Sequence, residues 1–213
     1  MVAANRDEFH GRPAAPARFW DERPGILAGR DLKAGGTWMG VSRTGRFAAV
    51  TNYRGGTEPT AAHSRGELVT GFLDGKGSPA DYFHDIEKRK TAYSGFNLLA
   101  ADGEDLWWMS NRDGGARRLE PGVYGLGNLL LDSADVSESK ARFGAIVELG
   151  PALEPLFGSL RPARIVNPVY GTRCSTVLMR NSTDLRYAER SVAADGSDGD
   201  TLRYEFRNSG SGS

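Results

Sequence analysis

The chain is poor in cysteine, in net charge and in long apolar runs, and each shortage closes off a class of protein. Cys174 is the only cysteine among 213 residues. No internal disulfide framework is possible, which points to a reducing compartment, the cytoplasm. No apolar run approaches the roughly 18 residues of a membrane-spanning helix, so no membrane span is expected. Behind Met1 the chain meets Asn5, Arg6, Asp7 and Glu8 at once, with no hydrophobic stretch of the kind a secretion signal needs. The 27 basic and 27 acidic residues cancel, which argues against nucleic acid as the main partner. The histidines His10, His63 and His84 are scattered, with no metal-binding spacing, and there is neither a CxxC pair nor a Gly-rich phosphate loop. No metal and no cofactor is expected.

What remains is a globular composition long enough for one domain over residues 1–207, with the NSGSGS stretch at 208–213 as a flexible tail. Residues 2–5 read as the end of a strand that begins earlier, and 6–25 as turn-rich because of Pro13, Pro16 and Pro24. Ile26 to Arg30 reads as a strand. Thr37 to Ser42 and Arg46 to Tyr53 read as a hairpin across Thr44-Gly45. Ser64 to Leu73 has helical spacing, with Ser64 and Glu67 placed for a capping box. Ser78-Pro79 opens a second helix whose Phe83 and Ile86 face the core. A hairpin is predicted across Asp102-Gly103, from Phe96 to Ala101 and Asp105 to Ser110. Residues 123–131 are irregular, and Ser137 to Leu149 is a helix with Phe143, Ile146 and Val147 apolar. Three strands follow, at Thr172 to Met179, Leu185 to Arg190 and Leu202 to Phe206. Hairpins with clustered helices predict an α+β fold of antiparallel sheets, not alternating parallel units.

Little here announces chemistry. Ser137 and Lys140 match S-x-x-K, but the companion motifs are absent and the position suits a helix start. Cys174 lies in a strand-like run, where a free thiol is expected to be buried and inert. The charge is uneven: residues 1–65 carry a net +4 and the remainder −4. The arginine excess suits carboxylates or phosphates, and equally an ordinary surface of ion pairs. Asn5-Arg6-Asp7-Glu8 is the most suggestive segment. Four consecutive polar residues at a strand end need solvent, a partner or a site. Arg6 and Asp7 could pair to orient a reacting group, or the segment could be a solvated loop.

The blocks AANRDEF, ILAGRDLKAGGTWMGVSRTGRFAAVTNYR, SRGELV, YSGFNLLAAD, GVYGLGN and YGTRCSTVL run in order from residue 3 to about 179. Together they resemble the NRDE family, the family of the transport and Golgi organisation 2 protein. That family resembles N-terminal nucleophile hydrolases, so the resemblance implies a four-layer αββα sandwich. In related acylases an N-terminal cysteine attacks an amide carbonyl, with its own α-amine as base. The resemblance then implies Arg6 and Asp7 as the pair supporting the nucleophile, Asn128 as oxyanion donor and Arg173 as a further polar site residue, with Asn5 and Asn52 contacting substrate. Asn5, Arg6, Asp7, Asn128 and Arg173 should converge on one cleft. This chain departs from the pattern. It begins Met-Val where the family begins Met-Cys, so the nucleophile and most of a first strand are expected upstream, and the polypeptide as written is expected to be inactive. Gly127 and Cys174 stand where the family has serine. The resemblance leaves two classes open: an amide or thioester hydrolase, expected of a complete chain, and a non-enzymatic protein binding haem, lipid or acyl-CoA. The expected partner is a small molecule.

Overall fold

A computed structural model describes residues 1–55, 61–103 and 105–207. The predicted tail at 208–213 lies outside them. In chain order the strands are β1 (Val2–Phe9), β2 (Ala14–Phe19), β3 (Ile26–Asp31), β4 (Met39–Ser42), β5 (Phe47–Asn52), β6 (Phe96–Asp102), β7 (Asp105–Ser110), β8 (Arg117–Arg118), β9 (Tyr170–Arg180), β10 (Asp184–Val192) and β11 (Asp198–Arg207). The helices are α1 (Gly66–Asp74), α2 (Pro79–Arg89), α3 (Ser137–Leu149) and α4 (Leu153–Leu160). Two antiparallel sheets result, one of seven strands in the sequential order β2 to β8 and one of four in the order β1-β9-β10-β11. Short returns make the sequential order. Gly45 at φ 84° and Gly103 at φ 62° supply the left-handed turn positions that close the β4–β5 and β6–β7 hairpins.

Side-chain alternation sorts the residues into three apolar clusters. On β6, Phe96, Leu98 and Ala100 join α1 and α2, while Leu99 and Ala101 turn the other way, into the space between the sheets. Phe72, Phe83 and Ile86 are fully buried in the helix-side cluster, each contributing about 1.5–3 kcal/mol by leaving water. The middle cluster joins Leu27, Val41 and Phe47 to Leu178, Leu185 and Tyr187, so the sheets face each other. A third cluster packs Leu156 and Phe157 of α4 on Val177 and Ala188, with Phe143 and Ile146 of α3 outside it. The central strands are covered on both faces, which explains why β5 and β6 read as nearly continuous apolar runs.

Four local readings need correction. The polar block at residues 5–8 is neither a strand end nor a loop, because β1 runs through it to Phe9. The turn-rich segment 6–25 contains β2, an edge strand in which Pro16 needs no ladder N–H. Its pairing with β3 shifts register between Ala15 and Arg18. The backbone freed there is caught by the opposite sheet. Ala17 N–H donates to Glu189 Oε1 at 2.7 Å, and Tyr204 Oη donates to Ala17 O at 2.8 Å. The capping box of α1 does not form: Ser64 Oγ accepts only from Gly66 N at 3.3 Å, and Glu67 is drawn off by the Tyr93 hydroxyl at 2.7 Å. The second cap is as predicted, with Ser78 Oγ accepting from Asp81 N. Helix α4 was not anticipated, since Pro155 and Gly158 interrupt a weak pattern. Burial of Leu156 and Phe157 overrides that local preference.

Candidate functional site

Alternation along β1 places Val2 and Ala4 in the cluster between the sheets, and Arg6 follows them inward. It ends 8% exposed, with its guanidinium carbon 4.1 Å from the centre of the Trp38 ring. Trp38 can lie there because β3 carries Gly29 beneath it, where a Cβ would come within 2.4 Å of the ring. The nearest carboxylate to Arg6 is Glu8, at 3.9 Å. Among the described residues the Arg6 guanidinium has no hydrogen-bond acceptor, although it carries five donors. Burial lowers its pKa from the ordinary guanidinium value, opposed by Cys174 and Glu8, and it stays charged.

Asp7 does not pair with Arg6, because consecutive strand residues point to opposite faces. Across a register shift between the two, Asp7 Oδ1 accepts the Thr172 hydroxyl at 2.6 Å. Burial raises the Asp7 pKa and that hydrogen bond holds it back. Asn5 also turns to the helix side, where Nδ2 donates to Leu160 O at 3.0 Å and Oδ1 accepts from Ser175 Oγ at 2.7 Å. Arg173 wraps the turn after β1, with Nη1 donating to the carbonyls of Phe9, His10 and Arg12 at 3.0, 3.2 and 3.2 Å.

Asn128 lies in the irregular segment 123–131, held by backbone. Its carbonyl accepts from Arg54 N at 2.6 Å, and the next carbonyl, Leu129, accepts from Asn97 Nδ2 at 2.8 Å. Tyr170, raised in pKa first by burial and then by the charges of Asp7 and Glu8, is pulled back by Arg54 and Arg6. Asn52 sits exposed at the end of β5. Arg6, Asp7 and Arg173 thus lie on the paired strands β1 and β9, and the Asn128 segment is hydrogen-bonded to the chain that leaves β5, at Arg54. Asn5 faces away toward α4, so the five residues expected to converge do not all line one cleft.

Cys174 is the register partner of Arg6 and is buried, as expected. Burial first, then the Glu189 carboxyl, pushes its thiol pKa well up. Glu189 is itself 4% exposed. Its own pKa is raised by burial, against the Ala17 N–H, Cys174 and Arg6. Trp38, Gly29, Glu189 and Asn97 were not singled out from the sequence. The one signal available was a Glu and an Asn inside otherwise apolar strand runs. A polar hollow of about 390 Å³ lies at Arg161, Arg164 and residues 195–198. Asp198 already bridges both of its arginines at 2.5 Å, and it shares no lining residue with Arg6.

Comparison with known sequences gives a consistent result. The profile of the family described as Transport and Golgi organisation 2 matches residues 1–160. The chain is similar to the transport and Golgi organization protein 2 homolog of Bos taurus, at 33% identity over 97% of this chain and 92% of that protein. It is also similar to the Homo sapiens homolog, at 32% identity over 97% and 91%. The Drosophila melanogaster transport and Golgi organization protein 2 matches at 30% identity over 70% of this chain and 59% of its own length.

Proposed function

We propose, from the premise that the chain belongs to the transport and Golgi organisation 2 family, that it binds a small acyl compound between its two sheets, with Arg6 receiving a carbonyl or carboxylate oxygen. The observation that carries this reading is the buried guanidinium with no hydrogen-bond acceptor, held flat on Trp38. A buried cation without an acceptor is costly, and a ligand oxyanion removes that cost. The order helices, sheet, sheet, helices is consistent with the N-terminal nucleophile hydrolase likeness of the family. On that likeness the reaction class is amide or thioester hydrolysis, with Arg6 and the Asn128 segment on the acyl oxygen. An amide, an acyl-CoA and a haem propionate all present a suitable oxygen. The single cysteine goes with a cytoplasmic setting, and residues 1–207 with one domain.

Binding without turnover is the second reading, and one observation favours it. Cys174, the thiol beside Arg6, is closed off from solvent and its pKa is raised, the opposite of an activated nucleophile. Calorimetric titration with octanoate tests the shared part. The wild type is expected to bind, and Arg6→Gln to bind at least tenfold more weakly with an unchanged circular dichroism spectrum. Equal affinity in the two proteins would remove Arg6 from the site. Turnover of a chromogenic octanoyl amide above the buffer rate would favour the hydrolase over the binding protein.

A further inference from the structure

The inner face of the seven-stranded sheet carries a polar row leading away from Arg6. Val50 N donates to Trp38 O at 2.8 Å, which puts Trp38 beside β5. Thr51, the next residue, pairs in register with Asn97 of β6, and Asn97 with Ser110 of β7. Asn97 shares its face with Leu99 and Ala101, so it points between the sheets. It is fully buried. Its Nδ2 donates to Thr51 Oγ1 at 3.1 Å and to Leu129 O at 2.8 Å. A carbonyl can only accept, so the Leu129 contact fixes which atom is the nitrogen. Among the described residues, Asn97 Oδ1 is left buried with no partner. Trp108, diagonal to it on the same face of β7, is 1% exposed, and its indole N–H also has no partner among the described residues. Diagonal positions of this kind lie within reach of long and aromatic side chains.

We propose that Asn97 and Trp108 form a subsite for an amide group of the ligand, resting on the reading that Arg6 holds its acyl or carboxylate oxygen. A secondary amide offers both partners at once: its N–H donates to Asn97 Oδ1 and its C=O accepts from Trp108 Nε1–H. Esters, thioesters and carboxylates have no N–H, so they leave the Asn97 acceptor unsatisfied in a water-poor site, which is the kind of difference that gives strong discrimination. Neighbouring strands are about 4.8 Å apart. The Trp38 ring lies over Gly29 of β3, so three strand spacings, roughly 14 Å, separate the Arg6 end from Asn97 on β6, which a carboxylate and an amide joined by five methylenes span with a hydrogen bond at each end.

The test compares 6-acetamidohexanoate with 6-acetoxyhexanoate, which differ by N–H against O. Calorimetry on the wild-type protein is expected to show the amide binding about tenfold more tightly. In ¹⁵N-edited spectra the indole resonance absent from Trp108→Phe should shift with the amide and not with the ester. Asn97→Leu, if it folds, should bring the two affinities together. Equal wild-type affinities, or an unmoved Trp108 resonance, would overturn the subsite. If both ligands still bind more weakly to Arg6→Gln, the Arg6 reading survives that failure. Absence of binding by either ligand and by octanoate sinks both.

Discussion

Glu189 fastens one sheet to the other through a single hydrogen bond, and changing it separates two effects of pH and packing. Its Oε1 accepts the Ala17 N–H at 2.7 Å, at the point where the β2–β3 register shift leaves that donor without a ladder partner. Glu189→Ala strands a buried N–H, a loss of about 1–3 kcal/mol, with a further contribution from the emptied volume. Glu189→Gln keeps the accepting carbonyl. Burial raises the Glu189 pKa, so the folded protein holds a proton that the unfolded chain, with a carboxyl near about 4.3, gives up. The associated stability is fully present below the unfolded pKa and is lost as pH rises through the folded one. Wild type should therefore be less stable relative to Glu189→Gln at pH 8 than at pH 4, the loss beginning above about 4.3. Urea unfolding followed by tryptophan fluorescence at the two pH values measures this. An alanine variant as stable as wild type, or a glutamine variant whose pH slope matches wild type, would refute the account of Glu189 as a neutral inter-sheet clamp.

Three further outcomes are expected. Arg46 is buried and donates to Asp102 at 2.7 Å, to Phe72 O at 3.1 Å and to Gly77 O at 2.8 Å. Arg46→Ala should cost about 3–5 kcal/mol by leaving these acceptors unmatched, readable as a lower urea midpoint, and a change below 1 kcal/mol would show the network to be idle. Gly29→Ala should displace Trp38, whose ring would lie 2.4 Å from the new Cβ, at about 1–3 kcal/mol. A crystal structure of that variant with Trp38 and Arg6 unmoved would contradict the packing argument. Cys174 should react with a thiol reagent only at the rate of unfolding, because the thiol is buried with a raised pKa. Rapid labelling of the native protein would mean that the space beside Arg6 opens.

The strand and helix framework was readable where local chemistry and burial agree. The hairpins across Thr44-Gly45 and Asp102-Gly103, the Ser78 cap and the strands from residue 170 onward all follow from turn glycines, capping and apolar alternation. Reading failed where a partner distant in sequence decides. Residues 5–8 look like a polar strand end until Trp38 and Thr172 are brought to Arg6 and Asp7. The segment holding Pro13 and Pro16 looks like turns until Glu189 and Tyr204 take up the backbone of Ala17.

Family membership and antiparallel α+β character are properties of the residues in order, because block order, turn glycines and alternation are local. Which face each polar side chain meets is not. A one-residue shift, such as those between Arg6 and Asp7 and between Ala15 and Arg18, sends every following side chain to the other side of its strand. Plain alternation along β1 then puts Arg6 between the sheets and sends Asn5 to α4 and Asp7 to Thr172, which is why the pairing of Arg6 with Asp7 suggested by adjacency does not form. The buried, unpartnered atoms of Asn97 and Trp108 likewise exist only once the chain has folded over them. Closure removes the water that would otherwise satisfy these groups in the open chain.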